Sequence, residues 1–247
     1  MLGSGSRALL LQVAHPKVAA AVDEHSRYRS DPLGRLRDTL DAIYGFAFDD
    51  RPSAERIVQH IHQLHTRVHG RTPTGEAYTA LDAHLLLWVY ATLIDSSLLA
   101  YERLVAPLSQ PRREAYYAEF RQAGAVWGIP PEDFPVSLQD LRAWMGALIE
   151  SGEVHVSTQG RHVGRFILAP AVWWAPPPAS AAMRLITLWL LPPALRQDFG
   201  YSWGPRRELL ARSIAASSRA VVPRLPGLLR DLPIARAADQ RVRDLAA

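Results

Sequence analysis

Apolar positions recur every three to four residues along most of the chain, and that period is the signature of helices with one face turned inward. Residues 5–26 fit one helix or two, broken at His15-Pro16, because a proline disfavours helix at the residue before it. Asp31 is a good N-cap with Pro32 at the first helical position, and the pattern runs on to about Gly45. Ser53, after Pro52, opens a helix that carries four histidines and is expected to close at Gly70. "RTPTGEAYTA" is expected to be a loop. Residues 82–104 form a long apolar helix suited to the centre of a core. Ser109 begins a helix ending near Gly128, and Ser137 begins one ending near Gly152. "EVHVST" alternates like a short strand, although the residues after it could equally start a helix. "WWAPPP" reads as a turn or extended connector. Helices near 179–196 and 205–221 follow, and Pro223, Pro226 and Pro233 punctuate the tail.

No series of strands with hairpin signals appears, and no internal repeat. The expectation is an all-α fold: one globular domain over residues 1–247, with roughly nine to eleven helices. The first helix begins almost at once, which leaves room for a preceding segment absent from this chain. "LLLWVYATLI" and "LITLWLLPPAL" each run for about ten residues against the ~20 that cross a bilayer, so no transmembrane segment is expected. Without a signal peptide in view, a cytoplasmic protein is the expectation.

Composition narrows the chemistry. There is no cysteine, which removes disulfides, thiolate metal sites, iron–sulfur clusters and cysteine nucleophiles. Histidines, carboxylates and hydroxyls remain. The net charge of +4 is carried by arginine, since Lys17 is the only lysine, and the arginines are interleaved with acids except near the C-terminus. That spread argues against a nucleic-acid partner, whose basic strips cluster. Nothing in the sequence sets an oligomeric state.

Three of the nine histidines crowd into "HQLHTRVHG", residues 62–70, with His60 just before. On a continuous helix His62, His65 and His69 would share one broad face, and His60 would point elsewhere. Such a face can be a solvated or satisfied surface. It can hold a non-haem metal through His65 and His69 at i, i+4, although Thr66 stands where an H-E-x-x-H motif has its glutamate. It can also present one axial haem histidine, which spacing cannot select because a single ligand has no spacing.

The order of motifs adds a resemblance. "LLLQVAHPKVAAAVDEHSRYRSDPLGRLRDT", then "LHTRVHG", then "YTALDAHLLLWVYATLIDS" is similar to the family of the latex-clearing rubber oxygenases. That family includes MpaB of mycophenolic acid biosynthesis, and the similarity continues through "YYAEFRQAGAVWGIPPEDFPVSLQDLRAWM". The resemblance implies an all-helical oxygenase that holds haem b without covalent attachment, in an apolar, haem-sized cavity. It implies His65 as proximal iron ligand, with His69 in reserve, and it places the family's R-x-x-x-T pattern on Arg35 and Thr39. Arg35 would then fork onto a haem propionate or stabilise bound oxygen, and Thr39 would donate into the distal pocket. A helical threonine can also bond back to its own helix. His15 suits a capping or packing role, and Asp23 and His25 are candidate distal acid–base groups. Rubber-cleaving members carry a lysine three residues after the arginine. Asp38 stands there in this chain, placed to pair with Arg35 or face solvent, so the resemblance implies haem without a lysine cap and does not extend to rubber cleavage. By analogy the partners are dioxygen and a small apolar, isoprenoid-like substrate. The rival reading is a non-catalytic helical protein that binds a lipid-like ligand.

Overall fold

The computed structural model describes residues 2–169 and 177–246. Two N-terminal helices, α1 (Leu2–Ala14) and α2 (Pro16–His25), meet at His15. Its backbone is extended, as the following proline requires, and its Nδ1 accepts the Lys17 amide at 3.2 Å. The capping role expected for His15 is what the structure shows. Next come α3 (Pro32–Phe48) and α4 (Arg51–His65), which pack on each other as a helical hairpin. Asp31 caps α3 through the Gly34 amide at 2.9 Å. Asp50, rather than Ser53, caps α4, and it accepts the Ser53 amide at 2.8 Å.

The histidine helix ends earlier than its spacing suggests. The Thr66 hydroxyl donates to the Gln63 carbonyl at 2.7 Å, a local bond that competes with another helical turn. The chain then enters a small antiparallel pair, β1 (His69–Arg71) and β2 (Ala77–Thr79), with Gly70 opposite Tyr78. Gly75 turns it at φ +90, a conformation open to glycine. Residues expected as a loop are therefore a hairpin, and Gly70 lies in a strand instead of ending a helix.

The apolar run at 82–104 is α5 (Ala83–Leu104), capped by Asp82 through the His84 and Leu85 amides. Leu10, Leu11 and Ala14 of α1 and Trp88, Ala91 and Ile94 of α5 are all completely buried, and the two helices form the axis of the molecule. By length and composition α5 could cross a membrane, unlike the ten-residue core of it read from the sequence. Most of its apolar window is buried inside the protein, as befits a core helix. Around this axis stand α6 (Gln110–Gly124), α7 (Leu138–Glu150), α8 (Thr158–Leu168), α9 (Pro177–Leu190), α10 (Pro193–Asp198) and α11 (Pro205–Val221). Two C-terminal helices, α12 (Gly227–Arg230) and α13 (Pro233–Ala246), follow. The helices outnumber the expectation because a break at Leu191-Pro192 divides the segment read as one near 179–196, and the proline-punctuated tail still forms helix. "EVHVST" has no strand partner among the described residues. Its alternation buries Val154 and Val156 in the core before Ser157 caps α8. "WWAPPP" falls outside the described residues up to Pro176, and its last two prolines begin α9.

One polar group crosses the core. Arg7 donates to Asp95 at 2.7 Å, to Ser96 at 2.7 Å and to the Leu190 carbonyl at 2.7 Å, and Arg142 reaches the other Asp95 oxygen at 2.8 Å. This ties α1, α5, α7 and α9 together. The protein is thus an all-α domain with one small hairpin, and α3–α4 lies at its edge: within them only Gly45 and Val58 are fully buried among the described residues.

Candidate functional site

Arg35, on the second turn of α3, is half-buried. Its Nε donates to the Ser26 hydroxyl at 3.2 Å, and its Nη1 donates to Thr39 Oγ1. The Thr39 hydroxyl in turn donates to the Arg35 carbonyl at 2.8 Å. No carboxylate among the described residues lies within ion-pairing distance of this guanidinium. Asp38 does not pair with it: Asp38 is half-exposed and bonds Arg27 at 2.6 Å, because its position on α3 sends it toward the short turn at Arg27–Arg29. Burial, before any neighbouring charge, lowers the Arg35 pKa; Asp38 offsets this and Arg27 adds to it.

His65 is the last residue of α4 and is also half-buried. Its ring has no hydrogen-bond partner among the described residues. Burial lowers its pKa, followed by the nearby His62 and Arg35, so the neutral imidazole with an open lone pair is favoured. The fold therefore brings Arg35, Thr39, His62 and His65 together on one hairpin, with Ser26 as a partner that the sequence did not single out.

Other expected residues lie apart. His69 is exposed in β1, so it shares no helical face with His62 and His65, and the i, i+4 chelate with His65 does not form. His60 is exposed as well. Asp23 is occupied by the Tyr28 hydroxyl and Arg29, each at 2.5 Å. His25 stands 3.3 Å from the Tyr78 hydroxyl rather than beside Arg35. Among the described residues no group of three or more histidines and carboxylates is arranged to hold a metal ion, which leaves the non-haem reading without a ligand set.

Two hollows among the described residues do not adjoin His65. One, of about 30 Å³, is lined by Ser6, Ile167, Met183, Arg184 and Thr187 and has room for about one water. The other is an open surface depression before α11, at Trp203 and Arg206. Neither is the apolar, haem-sized cavity that the resemblance implies: the first is too small, and the second is open and lies away from His65. What the hairpin does offer is accessible apolar surface, with Leu33, Ile43 and Leu64 each more than a third exposed.

Comparison with curated proteins and with solved structures finds no match. Residues 1–220 match the model of a family described as ER-bound oxygenase mpaB/B′/rubber oxygenase, catalytic domain. A family of catalytic domains displaces the non-catalytic binding reading. With almost its whole length inside that match, the all-helical chain belongs to the mpaB/rubber oxygenase family and is an oxidoreductase of the oxygenase type.

Proposed function

We propose that this protein is a haem b-dependent oxygenase that acts with dioxygen on a small apolar substrate of isoprenoid-like character, with His65 as the iron ligand. The observation that carries the reading is the proximity of a half-buried imidazole, kept neutral and without a hydrogen-bond partner among the described residues, to a half-buried guanidinium that has no counter-ion among them. The first is the protonation state an iron ligand needs. The second matches a carboxylate such as a propionate, through the planar fork of arginine.

The donor set fits the cofactor. Bound haem supplies the redox chemistry, and the protein supplies ligand, charge and surroundings. Thr39 and Ser26 hold Arg35 in a single orientation, leaving its second terminal nitrogen to meet an anion. Asp38 is drawn off to Arg27 and provides no cap. Exposed Leu33 and Leu64 on the same hairpin give an apolar substrate or the face of a macrocycle a surface to cover.

The test is an absorption spectrum, with pyridine haemochrome analysis, of protein expressed with a haem precursor. A Soret band near 400 nm (roughly, as for b-type haem) that is lost in His65→Ala is the expected result. Protein that purifies and remains colourless under those conditions would overturn the reading.

A further inference from the structure

No role carried over from the family, and nothing in the histidine pattern, accounts for Tyr78. It is a buried phenol in a two-stranded hairpin at the edge of an otherwise helical protein. Its hydroxyl donates to Glu24 Oε2 and lies 3.3 Å from His25 Nε2, with the His25 ring edge-on to its own. Glu24 and His25 are the last two residues of α2, and the next residue, Ser26, accepts from Arg35. Three consecutive residues thus hold two separate elements: Ser26 holds α3 at Arg35, and Glu24 with His25 holds the hairpin at Tyr78.

That hairpin is tied to His65. The Val68 amide donates to the His65 carbonyl at 3.0 Å, and the Ala80 amide donates to the Val68 carbonyl at 2.9 Å, two residues beyond Tyr78. Gly70 faces Tyr78 across the strand pair. A Cβ there would fall 2.6 Å from the Tyr78 oxygen and 2.9 Å from Glu24 Oε2, so any larger residue would push the Tyr78 and Glu24 side chains from these positions. Burial raises the phenol pKa, as does its bond to Glu24, and the hydroxyl stays a donor.

We propose that Tyr78 is a positioning residue of the site: clasped by Glu24 and His25, it fixes the chain that follows His65 to the same end of α2 that orients Arg35. The inference rests on the reading of His65 and Arg35 as the site. The α2 terminus is then the common reference for ligand and guanidinium, which share no direct bond. A positioned group must be held within a fraction of an ångström, and the hairpin supplies that where helix packing at the edge does not.

The test uses purified protein and reads the two site residues separately. Tyr78→Phe deletes one hydroxyl, and Gly70→Ala blocks the clasp without removing any of its polar groups. In both, hydrogen exchange at the Ala80 and Val68 amides should quicken by about tenfold or more, as for loss of a hydrogen bond to a charged group. The ring resonances of His65 and the Nε resonance of Arg35 should move together. Glu24→Gln keeps an acceptor and should stay close to the parent, whereas Glu24→Ala should behave like Tyr78→Phe. Tyr117→Phe removes a different buried phenol bond, to the Pro135 carbonyl, and should leave both reporters still. A folded Tyr78→Phe protein whose His25 ring shifts while His65 and Arg35 stay in place overturns the clasp. Retention of haem by His65→Ala overturns the site reading instead, and leaves the clasp to be judged on the Arg35 resonance.

Discussion

Arg35 and Thr39 are bonded in both directions: the guanidinium donates to the threonine oxygen, and that hydroxyl donates back to the Arg35 carbonyl at 2.8 Å. The single proton of Thr39 is therefore engaged within the helix, and its lone pair faces the arginine. In this arrangement Thr39 holds the Arg35 guanidinium on its own helix.

This geometry sets the outcome of two substitutions. Arg35→Ala should lower haem retention if the guanidinium meets a propionate, where a charge-assisted bond contributes about 1.5–3 kcal/mol. Thr39→Val removes a fixing bond and no charge, so it should weaken retention by less, about 1 kcal/mol. Haem transfer to an apo-acceptor protein measures both. Equal effects from the two variants would contradict the orienting role.

His65→Ala should abolish the Soret band, whereas His69→Ala should leave it intact, because His69 is exposed in β1 and separated from α4 by the Thr66 turn. His62→Ala removes a neighbour that helps lower the His65 pKa, so it should keep haem and let that pKa rise in cofactor-free protein. Absorption titration with haem separates His65→Ala from the other two, and an NMR pH titration of cofactor-free protein reads the His65 pKa in His62→Ala.

Acid stability should depend on His15. Burial, ahead of the opposing pull of Glu153, lowers its folded pKa from 6.5 to about 4; His84 and Lys17 add to the lowering and Asp82 opposes it. The unfolded chain binds this proton first, so stability is full above pH 6.5 and falls as pH drops toward 4. The loss is about 3 kcal/mol from this residue. His15→Asn keeps a capping acceptor and removes the titration. Urea midpoints between those pH values should then show a shallower acid slope, and an unchanged slope would refute the assignment.

Ion pairs should differ sharply in cost by burial. Asp95→Ala strands Arg7, which is 4% exposed, and should destabilise by about 3–5 kcal/mol. Asp38→Ala breaks an exposed pair with Arg27 and should cost about 1 kcal/mol or less. Urea unfolding of both variants checks the contrast.

Much of this protein is local, and local chemistry is legible in a sequence. Asp31-Pro32 and Ser137 start helices wherever they stand, because a capping side chain needs only the next three amides. The apolar period of 83–104 marks a long helix, and its burial in the fold makes it the core. Arg35 and Thr39, one turn apart, could likewise be read as neighbours, and the fold sets them on the helical hairpin that also carries His65. What the sequence left open needed partners far away in number. His69 lies at helical spacing from His65, but the cross-strand pairing of β1 with β2, from His69 opposite Thr79 to Arg71 opposite Ala77, draws it into a strand. Asp38 lies one turn from Arg35, yet it goes to Arg27, which another element presents at 2.6 Å. Periodicity fixes which residues can share a face. Only tertiary contact decides where a helix stops, which carboxylate reaches which arginine, and that Ser26 meets Arg35 and Glu24 meets Tyr78, because those choices depend on groups that approach from other parts of the chain.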